Sequence, residues 1–291
     1  MISLGIYEKA LPHDLTWEER LSLVKELGFN FLELSIDESD ERLARLDWSE
    51  NEIKEVRDAI WKTQTPIYTL MLSGHRRYPF GSKDPKVREK ALEMMAKAIR
   101  LAGLLGIRNI QLAGYDVFYE EKTVLSRELF MENLQKAVEM AAAQQVTLAI
   151  ETMDDVFINS LSKVKYIKSQ IKSPWLQTYP DLGNVSAWPE NDIAEELEKN
   201  IDNIVAVHLK DTQKVTDTFP GKFKNVPFGD GCVDFKGCLK TMQRLNYNGT
   251  YTIEMWSQES DDPVGEVKKA KQFFDSIFAE LGIKQREISN R

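Results

Sequence analysis

Short apolar runs alternate with longer amphipathic stretches from one end of the chain to the other. The runs fall at 2–7, 29–34, 67–72, 109–112, 147–151, 176–181, 204–209 and 249–255. Most are aliphatic and β-branched with few polar interruptions, the pattern of strands buried on both faces of a parallel sheet. Between them, apolar residues recur at helical spacing. Leu21, Val24 and Leu27 follow the capping box Thr16-Trp17-Glu18-Glu19, and Gly28 stops that helix. Ser49-Glu50-Asn51-Glu52 opens another, which runs to about Gln64 before Pro66 breaks it. Asp84-Pro85 starts a third, with Val87, Ala91, Met94, Met95, Ala98, Leu101 and Leu105 on one face and Gly106 at its end. Further helices are predicted over 130–141, 162–171, 192–200, 235–245 and from Asp262-Pro263 through Leu281. A long polar loop with Pro220, Gly221, Pro227, Gly229 and Gly231 follows the 204–209 run, and Pro180 makes the end of the 176–181 strand irregular.

Eight strand-then-helix units with no linker between them predict a closed (β/α)8 barrel, an α/β TIM barrel, as a single domain over 1–283. The charged remainder, 284–291, is expected to fray. An open doubly wound sheet would carry a Gly-rich phosphate turn after its first strand, and none follows 2–7. Composition fits a soluble domain with an ample core, at 42% hydrophobic and 29% charged residues. The net charge of -8 argues against a broad nucleic-acid surface and is compatible with sugars, sugar phosphates and metals. No apolar run approaches the roughly 20 residues of a membrane span, and the N-terminus does not read as a signal peptide. Cys232 and Cys238 are too few for a disulfide framework, which suits a reducing cytoplasm; they read as small packed residues.

Candidate chemistry gathers where the last four runs stop. Glu151 ends 147–151, Asp181 ends 176–181, His208 lies at the end of the apolar run Ile204-Val205-Ala206-Val207, and Glu254 follows Tyr251-Thr252-Ile253. In a barrel of this kind the carboxyl ends of the strands form the mouth where chemistry occurs. Neighbouring strands stand about 4.8 Å apart, so four such residues can converge on one cation. Three carboxylates and one imidazole suit Mn2+ or Mg2+ and leave Zn2+ or Co2+ open. Singly, each is an ordinary rim carboxylate or a satisfied core histidine; their joint placement on successive strands is what points to a metal site.

Five passages carry a resemblance to a known family. They are Leu72-Ser73-Gly74-His75-Arg76-Arg77-Tyr78-Pro79-Phe80-Gly81-Ser82, Ala149-Ile150-Glu151-Thr152-Met153-Asp154, Asp181-Leu182-Gly183-Asn184, Val207-His208-Leu209-Lys210-Asp211 and Ile253-Glu254-Met255-Trp256. With them the chain resembles the xylose-isomerase-like barrel superfamily. Within it the chain is similar to the bacterial L-ribulose-5-phosphate (L-xylulose-5-phosphate) 3-epimerases of L-ascorbate utilisation. The resemblance implies a cytoplasmic homodimer that uses one divalent cation and inverts C3 of a pentulose phosphate through a cis-enediolate. Glu151 and Glu254 would be the acid/base pair as well as ligands, with Asp181 and His208 mainly ligands. His75, Arg76 and Arg77 would bind phosphate, with Lys222, Lys224, Gly229 and Gly231 as the alternative. Asn184, Lys210 and Asp211 would face substrate, and Tyr7, Phe118 and Trp188 would form an apolar wall over the sugar. Free-ketohexose epimerases commonly carry a glutamate six residues after the first metal glutamate; Phe157 stands there, which favours the phosphorylated substrate.

Rival readings are an isomerase that moves a proton between C1 and C2, a non-catalytic sugar-phosphate-binding barrel, and an endonuclease of the same superfamily. The last would need many histidines, and the chain has only His13, His75 and His208.

Overall fold

Eight parallel strands close into one barrel in the computed structural model, which describes residues 1–287. They are β1 (Ser3–Tyr7), β2 (Phe31–Ile36), β3 (Ile67–Leu72), β4 (Asn109–Ala113), β5 (Thr147–Glu151), β6 (Leu176–Tyr179), β7 (Ala206–Leu209) and β8 (Thr250–Ile253). Hydrogen-bonded neighbours run β6-β5-β4-β3-β2-β1-β8-β7. The remaining seam, between β6 and β7, is held by single bridges, Thr178 to Ile204 and Asp181 to His208. Pro180 explains its thinness. Proline has no N–H to give, so Pro180 joins the seam only through its carbonyl, which accepts from His208 N at 2.9 Å. The closing seam therefore sets Asp181 beside His208.

Local sequence signals fix the helices around this barrel. Thr16 and Ser49 cap Trp17–Glu26 and Glu50–Thr63 with reciprocal capping boxes. Asp84 caps Pro85–Leu105, and Gly106 ends it at φ 76°. Asp181 is no strand residue; it caps the short helix Leu182–Ser186, which the hydrophobic pattern did not reveal. The tail differs from expectation over 284–286. Ile2 N donates to Lys284 O at 2.9 Å and Arg286 N to Ile2 O at 2.8 Å, so these residues are laid against the start of β1. Residues 288–291 lie outside the described residues.

Apolar packing lies between sheet and helices, with Leu4, Leu32, Leu70, Ile110 and Leu148 among the fully buried strand residues. The lumen is different. Glu33, Thr69, Gln111, His208 and Thr252 are polar and wholly buried, as is the ring of Tyr179. Barrels of this type usually fill the lumen with branched aliphatics. Here each of these polar side chains calls for hydrogen-bond partners, and the bonds they make tie strands together across the barrel.

Glu8, just past β1, anchors the mouth. Its carboxylate meets Arg20, Arg42 and Arg45, and Oε2 accepts from Ser35 N at 3.0 Å. Burial pushes its pKa up, but Arg45, Arg42 and Arg20 outweigh burial and hold it far below the usual carboxylate range. Glu8→Ala leaves buried arginines without their counter-charge and should cost about 3–5 kcal/mol in chemical denaturation. Because the folded pKa is depressed, this stabilisation is present above the unfolded value of about 4.3 and is lost as pH falls below it. The melting temperature of the wild type should therefore fall more steeply in acid than that of Glu8→Gln.

Candidate active site

The ends of the last four strands bring Glu151, Asp181, His208 and Glu254 together, with one ligand atom of each within 4.8 Å of all the others. All four are buried. His208 Nδ1 is 2.6 Å from Glu151 Oε1 and 3.9 Å from Glu254 Oε2. Asp181 Oδ1 accepts from Asn184 N at 2.9 Å, the helix cap that aims Oδ2 at the mouth. Gly183 permits that turn: a Cβ there would come within 2.4 Å of Lys210 O. Lys210 Nζ stands 2.7 Å from Asp181 Oδ2 and 3.0 Å from Glu254 Oε2. Neither oxygen is aligned to accept a hydrogen bond, and both are buried.

This donor set fits a divalent cation. The quartet's three carboxylates and Glu33 outnumber the imidazole and the ammonium that contact them, so ionising all four would leave an excess of buried negative charge. Such an excess is costly unless a cation offsets it. Burial, then the neighbouring Glu254 and Glu151, push Asp181 up to about 8 against the pull of Lys210. Burial also raises Glu151, only partly countered by His208. Lys210 and His208 overcome burial at Glu254 and hold it down to about 2. Burial would lower His208, yet Glu33, Glu151 and Glu254 raise it well above the usual imidazole value.

Above the quartet lies a pocket whose walls include Tyr7, Met71, Met153, Phe223 and Trp256; its polar lining combines Lys9, Arg76, Lys210, Lys224 and Asn184 with the carboxylates of Asp37, Glu38 and Asp154, and Lys9 is paired with Asp37. Arg76 lies over the rings of Tyr115 and Phe118, at 5.5 and 5.3 Å, and its buried Nε finds no partner among the described residues. Lys224 Nζ lies 4.9 Å over the Trp256 ring; burial, then Arg76, lower its pKa. Asn184 donates Nδ2–H to Thr152 O at 2.8 Å, leaving a buried Oδ1 with no partner among the described residues.

Other predicted residues are elsewhere. His75 is buried beneath the loop, its ring 4.4 Å from Phe80 and its Nε2 3.4 Å from Ala91 O, and burial pushes it down to about 4; it faces the core and does not line the pocket. Arg77 points outward to Asp40 Oδ1 at 2.5 Å. Trp188 packs toward Phe223, and Phe118 supports Arg76, so neither lines the pocket directly. Asp211 orients loop backbone instead of substrate hydroxyls. Its oxygens accept from the N–H groups of Thr212, Gly229, Gly231 and Val233, at 2.9, 2.9, 3.1 and 3.3 Å. Gly231 is required there, since a Cβ would meet Asp211 Oδ1 at 2.0 Å.

Sequence reasoning missed Glu33, which bonds His208 Nε2, and Gln111, which donates to Glu151 Oε2. Both are polar residues inside largely apolar strands, alternating with Ser35 and Asn109 respectively, and that inward alternation was the signal that could have found them.

Asp211→Asn places an N–H donor against backbone donors. Limited proteolysis should then cut within 212–233 more readily, while the barrel's melting temperature stays within a few degrees.

A family model described as Xylose isomerase-like TIM barrel matches residues 21–277. The chain is 54% identical over 279 residues to SgbU of Escherichia coli, named provisionally an L-ribulose-5-phosphate 3-epimerase, covering 96% of this chain and 97% of that one. It is 50% identical over 282 residues to the L-ribulose-5-phosphate 3-epimerase UlaE of Escherichia coli, covering 97% of each. Among solved structures, the 3-keto-D-glucoside 4-epimerase YcjR of E. coli superposes with a TM-score of 0.76 at 19% identity, over 95% of this chain and 100% of that one. Sequence, barrel and mouth geometry agree: the chain belongs to the xylose isomerase-like TIM-barrel family, alongside relatives that bear the name L-ribulose-5-phosphate 3-epimerase.

Proposed function

We propose that this enzyme interconverts L-ribulose 5-phosphate and L-xylulose 5-phosphate by inverting C3, with one divalent cation bound by Glu151, Asp181, His208 and Glu254. The observation that carries the reading is the buried quartet at the barrel mouth, with one ligand atom of each residue within 4.8 Å of all the others. The names of relatives 50% and 54% identical over nearly the whole chain supply the substrate. A cation in that position would act as a Lewis acid on the ketose carbonyl and make the adjacent C–H acidic. Three carboxylates and one imidazole favour Mn2+ or Mg2+ and admit Zn2+ or Co2+.

The remaining work falls to side chains. Glu151 comes from the end of β5 and Glu254 from the residue after β8. One removes the C3 proton, the substrate passes through a cis-enediolate, and the other returns a proton to the opposite face. Each carboxylate serves as base in one direction and acid in the other, as a reversible reaction needs. Lys210 holds Asp181 and Glu254 in place, and Asn184 Oδ1 accepts from a sugar hydroxyl. The phosphate belongs with Arg76 and Lys224, two cations backed by aromatic faces in one pocket. Cytoplasmic action as a homodimer in L-ascorbate utilisation is part of the same proposal, carried by sequence resemblance alone.

Turnover in deuterated water should place label at C3 of the product, read by NMR. Label confined to C1 or C2 would instead identify an aldose–ketose isomerase. Glu151→Gln and Glu254→Gln should each lower kcat by about 10²–10⁴-fold, and retained turnover in both would exclude this acid/base pair. Chelation should abolish activity and metal add-back restore it. Lys224→Ala should raise KM for the phosphorylated sugar with less effect on kcat.

A further inference from the structure

Glu33 lies mid-strand in β2, wholly buried, and the proposed proton transfers make no use of it. Its carboxylate spans the lumen. Oε1 stands 2.7 Å from His208 Nε2, while Oε2 accepts from Thr69 Oγ1 at 2.7 Å and from Tyr179 OH at 2.8 Å. Tyr179 OH is in turn 3.1 Å from Thr252 Oγ1. Side chains of β2, β3, β6, β7 and β8 thus meet around one carboxylate.

An ionised carboxylate only accepts, so each group around Glu33 must donate to it. Two hydroxyls serve Oε2. Oε1 is left to the imidazole, which can serve it only with a proton on Nε2. The neutral ring then carries its lone pair on Nδ1, the nitrogen that faces Glu151 and Glu254. The Tyr179 ring lies 4.3 Å from the imidazole and blocks a flip that would exchange the nitrogens. A leucine would fill similar space without needing donors, so packing does not account for a buried carboxylate here.

We infer that Glu33 is the positioning residue of the metal centre, holding His208 as the Nε2–H tautomer with Nδ1 presented to a divalent cation. It rests on the cation site proposed above. Carboxylates that fix a ligand histidine in this way typically contribute about 10–100-fold in metal affinity.

Zn2+ is a suitable diamagnetic probe. Protein labelled with 15N-histidine, with His208 assigned by comparison with His208→Gln, should show Nδ1 shifting as Zn2+ is added and Nε2 retaining its proton. In a competition titration with a chromophoric chelator, Glu33→Gln should bind Zn2+ at least tenfold more weakly than the wild type. A metal-bound Nε2, or a loss below tenfold in a folded Glu33→Gln, overturns the inference while leaving the cation site standing. Zn2+ that moves neither nitrogen of His208 overturns the cation site and the inference together. Should Glu33→Gln fail to fold, the wild-type spectrum alone decides.

Discussion

Buried negative charge in the throat of the barrel is the constraint on which the other features depend. Glu33, Glu151, Asp181 and Glu254 are each at least 95% buried, where an unpaired carboxylate is expensive. Lys210 and His208 offset part of that charge, and the arrangement of both follows from it. Lys210 is folded down between Asp181 and Glu254 although its residue lies past the end of β7. His208 is held on both ring nitrogens by carboxylates. A fold that needed only stability would fill this space with aliphatic side chains. The polar lumen therefore fixes the geometry of the buried side chains at the mouth, while stability comes from the apolar layer outside the sheet.

Connectivity decides which residues take part. The broken β6–β7 ladder at Pro180 lets Asp181 turn into a helix cap, so one carboxylate both satisfies a backbone N–H and faces the mouth. Above it, the two oxygens of Asp211 gather backbone N–H groups from both ends of the 212–233 loop, which is pinned further where Val215 N donates to Ala187 O and Cys232 N to Thr212 O. That anchoring keeps Phe223 and Lys224 over the pocket. The loop after β3 delivers Arg76 from the other wall, braced by Tyr115 and Phe118. Glu8 with its arginines steadies the side of the mouth where β1 and β2 end.

Much of this was legible in the linear pattern. Strand number, helix caps at Thr16, Ser49 and Asp84, and the quartet at successive strand ends all follow from local rules. Residues whose position depends on which way a loop turns did not. His75, Arg76 and Arg77 are consecutive, yet a single turn of 3-10 helix buries the first, aims the second into the pocket and sends the third to Asp40. Glu33 was invisible for another reason. A lone carboxylate in an apolar strand has meaning only once its partners on β3, β6 and β7 are known, and the contacts to β6 and β7 cross the lumen between strands far apart in sequence.

Anomalous diffraction from crystals soaked in Mn2+ tests the central claim most directly. The account predicts one strong peak enclosed by Glu151, Asp181, His208 and Glu254, at ordinary coordination distance from an atom of each. A map with no peak between those four groups, or with the manganese bound elsewhere and Lys210 still seated between Asp181 and Glu254, would contradict it.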